Sequence, residues 1–393
     1  MAEGAGARLA IAYVHYGAQS GVTGAVARAL ADRGHGVALV AATGALEPRE
    51  HGSRRLRPTP AVALHLAHAA LRFGRRALDH RWNTPFAFDA HARHAGEALD
   101  ALDAPPDVVL QNGALFAPGL PPRRPYVLLV DHTRALAMRS PPWPSLGLPA
   151  PAEYGPSWRA REAAAYRGAR AIAAFSENAA RSLVRDYGVP RARVAVVGAG
   201  AAVFPAEAIR RDDGRTIVFV GRDFARKGGP VLAEAFARLR RRVPKARLFV
   251  AGPRRRPPLP EGATFLGPVA EAELPALLAQ ATAFALPTLR EPFGLAFLDA
   301  MACGVPCVGT RIEAVPELVD EGRTGLLVPP GDPAALADAL HALLSEPARA
   351  RAMGARGRAR VSARFLWAHA AERLERVLAR AAEPRARARP DVA

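Results

Sequence analysis

Short apolar runs alternate with helical stretches along both halves of this 393-residue chain, and that alternation most narrows what it can fold into. Residues 8–15 form an apolar run of the kind buried on both faces of a parallel sheet. Gly17 and Gly21 mark the following turn, Val22 to Arg33 has helical periodicity and stops at Gly34, and Val37 to Ala41 is the next strand. Strand, glycine turn, helix and strand in that order make a βαβ unit. Further strands are expected at Asp107–Leu110, Tyr126–Val130, Ala171–Phe175 and Arg193–Val197.

Gly198 to Gly214 is poor in periodicity and reads as an interdomain linker. Alternation then restarts with strand Thr216–Val220, a helix from about Pro230 to Arg242, and strands Arg247–Ala251 and Thr264–Leu266. It continues through helix Glu271–Gln280, strand Ala283–Leu286, an apolar helix closed by Gly304, and strands Val305–Val308 and Gly325–Val328. Helices from Pro333 and Pro347 each carry proline where a helix start tolerates it. The expected fold class is α/β, with two doubly wound, Rossmann-like domains facing each other across a cleft. Ligands of such sheets bind beyond the carboxyl ends of the strands, which makes the cleft the expected site.

Half the residues are hydrophobic, so real cores are expected, and no apolar run approaches the roughly 18 residues of a membrane span. The first six residues lack a basic stretch and lead straight into a strand, which reads as no signal peptide. Two cysteines, Cys303 and Cys307, argue against a disulfide scaffold and suit a reducing cytoplasm; both read as packing residues. The net charge of +18 comes almost wholly from arginines scattered among alanines on helix faces, without interleaved aromatics, so no nucleic-acid partner is expected. The apolar helical stretch Ala61–Phe73, between Arg54-Arg55 and Arg75-Arg76, reads as a surface helix of the first domain and leaves peripheral membrane association open.

The most informative stretch chemically runs from Arg290 to Pro306. It places Glu291 just before a Pro-x-Gly turn and Asp299 eight positions on, within an otherwise apolar helix. Acids flanking a helix N-terminus suit a ligand with sugar hydroxyls and a phosphate, because turn N–H groups and the helix dipole favour the phosphate while carboxylates accept from hydroxyls. A second cluster, Gly221-Arg222-Asp223-Phe224-Ala225-Arg226-Lys227-Gly228-Gly229, sits between a strand and a helix. Lys227 is one of only two lysines in the chain, which points to a need for a compact ammonium charge. Arg222 and Lys227 together would offset most of the charge of a diphosphate, although the spacing is not that of a P-loop.

Glu291 to Pro306 resembles the acidic signature of the family 4 retaining glycosyltransferases, in which seven residues separate two carboxylates. Gly221-Arg222 with Lys227-Gly228 resembles that family's diphosphate-binding loop. The likeness extends to Tyr166-Arg-Gly-Ala, Ser176, Asp186-Tyr-Gly-Val-Pro190, Glu317 through Asp332, and Phe365-Leu-Trp367, covering most of the chain from about residue 160. Before that only the strand pattern and the Gly17–Gly21 turn match. The resemblance implies the two-domain GT-B arrangement, with residues 1–204 on the acceptor side, 205–364 holding the donor and 365–380 crossing back onto the first domain; residues 381–393, small, charged and proline-containing, read as a disordered tail.

It also implies roles. Glu291 would contact hydroxyls of the donor sugar, and the backbone of Phe293, Gly294 and Leu295 would face the sugar and diphosphate. Asp299 would hold the ribose hydroxyls, where the family more often has Glu, and Gly221, Arg222 and Lys227 would hold the diphosphate. Gly17 would allow close approach of a ligand, and His132, in Asp131-His132-Thr133 after a first-domain strand, would contact the donor sugar across the cleft. Trp367 is the expected anchor of the crossing helix. Another departure from the family is Gly200-Ala201-Ala202, where relatives commonly carry a polar residue after the glycine.

The expected activity is thus transfer of a hexose from a nucleotide diphosphate sugar, UDP favoured over GDP, to the hydroxyl of a sugar, lipid-linked or small-molecule acceptor, with retention of configuration. No metal and no cofactor is expected: Asp212-Asp213 lies in the linker rather than after an apolar strand, and His91-x-x-His94 reads as part of a surface helix without further ligands. The alternatives are a nucleotide-sugar epimerase on the same fold and a non-catalytic nucleotide-sugar-binding protein. The expected location is cytoplasmic, with the inner membrane face open. Alanine at Glu291 or Lys227 is expected to abolish turnover while leaving folding intact.

Overall fold

The computed structural model describes residues 8–17, 21–42, 46, 59–139, 154–205 and 211–384. Residues 1–6, Arg54-Arg55, part of the linker and the tail from Arg385 lie outside them.

The first half runs β1 (Ala10–His15), α1 (Val22–Ala31), β2 (Gly36–Ala41), α2 (Pro60–Phe73), α3 (Ala77–His80), α4 (Pro85–Asp100), β3 (Val108–Asn112) and β4 (Tyr126–Val130). It continues with α5 (Arg134–Arg139), α6 (Pro156–Gly168), β5 (Ala171–Ala174), α7 (Glu177–Tyr187) and β6 (Val194–Val196). The six strands are parallel in the order β2-β1-β3-β4-β5-β6. Every residue of β3 and β4 is buried, which is why Val108–Leu110 and Tyr126–Val130 read as continuous apolar runs and not as alternating ones. Helix α1 turns Val22, Val26, Ala29 and Leu30 to the core, and Ser176 caps α7 by accepting from Ala179 N at 3.1 Å. Helix α2 buries Val62, His65 and Ala69 and turns Leu64 and Leu71 to solvent, with Leu71 89% exposed.

The second half runs β7 (Thr216–Val220), α8 (Gly229–Arg242), β8 (Arg247–Ala251), β9 (Ala263–Gly267), α9 (Leu274–Ala279), β10 (Ala283–Leu286) and α10 (Leu295–Ala302). It ends with β11 (Cys307–Thr310), α11 (Val315–Leu318), β12 (Gly325–Val328), α12 (Pro333–Ser345), α13 (Pro347–Arg364) and α14 (Trp367–Ala382). These six strands are also parallel, in the order β12-β11-β10-β7-β8-β9. Several boundaries differ from expectation by one to three residues, those of β11 and α9 among them. Strand β11 begins at Cys307, because Val305 N still closes the preceding helix on Ala300 O at 3.0 Å and Pro306 has no N–H to give the ladder. The Glu271–Gln280 segment opens as a 3₁₀ turn, Glu271–Glu273, before α9.

Each sheet reverses its strand order once, between β1 and β3 and between β7 and β10. Such a switch point opens a crevice at the carboxyl ends of the flanking strands. The linker is tied down on both sides: Ala201 N donates to Phe365 O at 2.9 Å, and Ala202 N and Val203 N donate to Asp299 Oδ1 at 2.7 and 3.2 Å. Helix α14 then crosses back to pack on α1, β3, β4 and β5, and Arg373 Nη1 donates to Val197 O at 2.7 Å. It runs to Ala382, two residues beyond its expected end. Trp367 lies hard against Gly200 at the start of this crossing, where a Cβ on Gly200 would stand 2.3 Å from Trp367 N.

Candidate active site

The second switch point collects the residues that the sequence singled out. The loop after β7 carries Gly221 to Lys227, and the loop after β10 carries Thr288 to Gly294. The loops lock together: Leu289 N donates to Arg226 O at 2.9 Å, and Arg226 Nη1 donates to Arg290 O at 3.0 Å. Gly228 (φ 74°) is obligatory here, since a Cβ would stand 1.8 Å from Pro287 O. This lock delivers Lys227 Nζ onto Glu291 Oε2 in an ion pair whose members keep only 14% and 5% of their side chains exposed. Burial pushes the Lys227 pKa down, and the Glu291 carboxylate opposes that push. Arg222 stands exposed at the outer edge of the same loop, beside the half-buried Gly221.

Helix α10 starts at Gly294, which has φ 113° and lies against Phe297, Leu318 and Glu291 so closely that no side chain fits. No side chain caps this helix and its first turn holds no acid, so the N–H groups at Leu295 and Ala296 face the crevice with the positive end of the dipole. Phe293 is buried edge-on against Phe175 of the first half, with ring centroids 5.4 Å apart. Asp299 is 8% exposed and holds the linker N–H groups of Ala202 and Val203 on one carboxylate oxygen. Burial raises its pKa to about 6 against the pull of those two hydrogen bonds.

The first half supplies the facing wall. Gly17, at the carboxyl end of β1, has φ 122°, and its carbonyl accepts from Thr23 Oγ1 at 2.8 Å. His132, after β4, reaches across so that its Nε2 lies 2.9 Å from Glu313 Oε1. The other oxygen of Glu313 accepts from Glu291 N. One carboxylate thereby ties the histidine of one half to the backbone of the acid in the other.

Glu313 carried no expectation from the sequence, and Arg226 and Glu317, though within the quoted motifs, had no role assigned to them. Glu313 has φ 44°, the one positive value outside glycine among the described residues, and it follows β11 at the same sheet end as the other site residues. Its place after a strand was the available signal. Glu317 accepts from Glu177 N and Asn178 N, both at 2.8 Å, and so caps α7 of the first half from α11 of the second. One expectation is corrected: His91 is not on a solvated helix face but is 3% exposed, its Nδ1 2.9 Å from Ala42 O and its ring 4.7 Å from that of Trp82. Buried against β2, it has its pKa lowered to about 4 by desolvation. Cys303 and Cys307 are buried thiols, not joined in a disulfide.

The family model described as Glycosyltransferase Family 4 matches residues 20–202, and that described as Glycosyl transferases group 1 matches residues 214–346. The chain belongs to the family 4, group 1 glycosyltransferases. Among curated members, the D-inositol 3-phosphate glycosyltransferase of Nocardia farcinica is 36% identical over 232 residues, which is 52% of this chain and 51% of that protein. The chain spans about half or less of the length of the curated relatives it matches. Among solved structures, sucrose-phosphate synthase from Thermosynechococcus elongatus superposes with a TM-score of 0.67 at 20% identity, covering 93% of this chain and 97% of that one. Anabaena HepE in complex with UDP and glucose superposes at 0.63 and 15% identity, covering 94% and 99%. At those identities the likeness shows the fold, the GT-B arrangement of two parallel sheets. In this glycosyltransferase-family chain the crevice combines an ammonium, a carboxylate and uncapped helix N–H groups, a set able to hold a diphosphate beside a polyol.

Proposed function

We propose that this protein transfers a hexose from a nucleotide diphosphate sugar, UDP favoured over GDP, to an acceptor hydroxyl with retention of configuration and without a metal ion. The observation that carries the reading is the Lys227–Glu291 pair, set at a sheet switch point beside the uncapped start of α10. Breaking the anomeric C–O bond places negative charge on the departing diphosphate. Lys227, Arg222 and the α10 N–H groups are the groups in reach of that charge, and such preorganised donors act most strongly where charge develops. Glu291 takes the sugar hydroxyls and Asp299, through its remaining oxygen, the ribose. His132 lies on the opposite wall, at the donor sugar. The acceptor hydroxyl attacks from the face that the diphosphate leaves, and its proton passes to the leaving phosphate oxygen. UDP bound to the structurally similar HepE supports the choice of nucleotide.

Incubation with labelled UDP- and GDP-sugars in the presence of a chelator tests the reading. Slow hydrolysis or transfer is expected, and transferred sugar should keep its anomeric configuration. Epimerisation alone, binding without turnover, or loss of turnover on chelation would each overturn part of it.

A peripheral seat on an acidic membrane surface is part of this proposal. It is supported by Leu64 and Leu71 turned outward on α2, by exposed Leu78, and by Arg72, Arg75 and Arg76 beside them. Among the described residues no helix is long and apolar enough to cross a membrane.

A further inference from the structure

Two arginines that the donor site does not use face each other across the cleft. Arg134 opens α5 two residues after His132, and Arg290 precedes Glu291. The bridge from His132 through Glu313 to Glu291 N brings the two together, one from each half. Both are partly buried.

Neither guanidinium has a hydrogen bond or ion pair among the described residues. Arg134 Cζ instead lies 4.5 Å from the centroid of the Tyr154 ring and 5.8 Å from that of Trp158. A cation–π contact of this kind holds the guanidinium without engaging its N–H donors. The buried acid whose charge it feels, Glu162, is taken by Tyr187 Oη at 2.7 Å and Tyr166 Oη at 3.4 Å. Burial alone would lower the Arg134 pKa, but Tyr154 and Glu162 outweigh it and hold that pKa above its usual value, so the guanidinium stays charged. Arg290 uses only its carbonyl, which accepts from Thr288 Oγ1 and Arg226 Nη1. Burial lowers its pKa, and the charge of Arg134 is the next largest cause. Glu313, the acid that favours its charged form, is already committed to His132 and Glu291 N.

Two like charges held close in a partly desolvated cleft, with no N–H donor of either fork engaged among the described residues, favour an anion between them. A tetrahedral phosphate or a carboxylate matches two open forks. We propose that Arg134 and Arg290 form an anion subsite for the acceptor, so that the sugar passes to an acceptor bearing a phosphate or carboxylate group. This rests on the transferase reading above, in which Lys227, Arg222 and α10 take the donor diphosphate. Arg134 belongs to the opposite wall, after β4 of the first half, which is why the anion is assigned to the acceptor.

The test uses the whole 393-residue chain saturated with UDP, titrated with inorganic phosphate, glycerol 3-phosphate and glycerol, and followed by phosphorus and proton NMR. Phosphate and glycerol 3-phosphate should bind alongside UDP, and glycerol should not. Arg134→Met and Arg290→Met should each weaken phosphate binding roughly ten- to hundred-fold, with UDP affinity within about two-fold. Arg134→Lys and Arg290→Lys, which keep the charge, should retain part of it. Melting curves accompany each variant, and Arg290→Met, in a loop, carries the test if Arg134→Met does not fold. Phosphate that only competes with UDP, or UDP affinity that falls in step with phosphate affinity, would assign the arginines to the donor and overturn the proposal. Undiminished phosphate binding in both variants would do the same. A wild type that binds no UDP would instead sink the donor-site reading, and phosphate titration of that protein would still read the two arginines.

Discussion

His132 Nε2 and Glu313 Oε1 lie 2.9 Å apart, although the two residues stand on different sheets and 181 positions apart in the chain. Glu313 also holds Glu291 N, so it sets the position of Glu291 and the approach of the two halves together. Glu313→Gln keeps the backbone demand at φ 44° and removes the charge. We expect kcat/KM for sugar transfer or donor hydrolysis to fall by at least about ten-fold while stability changes by less than about 1 kcal/mol. Steady-state kinetics with matched melting curves reads this, and an unchanged kcat/KM would remove Glu313 from the site.

Lys227 and Glu291 call for a double-mutant cycle. From sequence, alanine at either position is expected to spare folding, but the buried ion pair changes that expectation. Removing one partner leaves the other charge buried, at a cost of roughly 3–5 kcal/mol. Lys227→Met and Glu291→Gln should each lower the denaturant midpoint, and the double variant should recover part of the loss, with a coupling of about 1–3 kcal/mol. Lys227→Met should also lower kcat by about 10²–10³-fold. Additive stability losses in the cycle would refute the pair.

Asp299 gives a pH signature with a definite sign. Its folded pKa of about 6 lies above the ordinary 3.8, so between those values the folded state binds more protons than the unfolded one. The stability this residue contributes is therefore fully present below about pH 4 and lost as pH rises through about 6. Asp299→Asn keeps an oxygen for Ala202 N and Val203 N and removes the titration. The variant should gain on the wild type, by up to about 2 kcal/mol, between pH 4 and pH 7. Parallel melts across that range check it, and a difference that does not vary with pH would contradict the assignment.

Gly200→Ala tests the crossing of α14. The added methyl would stand 2.3 Å from Trp367 N and 2.8 Å from Leu366 C, and backbone cannot yield as a side-chain tip can. Overpacking of this kind costs about 1–3 kcal/mol. A urea midpoint equal to that of the wild type would show that the close approach is not needed.

For the α2 surface, Leu64→Asp with Leu71→Asp should reduce co-sedimentation with vesicles containing acidic lipid, and raising salt should reduce it in the wild type. Equal sedimentation with and without the substitutions would rule out this face as the seat.

Much of this was legible in the chain. Strand runs such as Val108–Leu110 and Tyr126–Val130 are apolar at every position because both faces of a parallel sheet are covered, and that signal survives without tertiary information. Gly221, Lys227, Glu291 and Gly294 were legible as well, since turn chemistry and unusual residue choice are local. Boundaries were less so: Val305-Pro306 looks like strand, and only the hydrogen bond from Val305 back to Ala300 shows that the helix has not yet let go.

Two doubly wound sheets and the loops that carry Lys227 and Glu291 follow from local patterns in the chain, because hydrophobic period and glycine placement act over a few residues. Tertiary structure decided who meets whom. The switch point between β7 and β10 sets Lys227 on Glu291, 64 residues away, and burial then couples their charges. It also gave work to residues that carry no motif: Glu313 joining the halves, Glu317 capping α7, and Asp299 holding the linker. A carboxylate's partner depends on which chain segment folding brings within about 3 Å, and no local pattern encodes that distance.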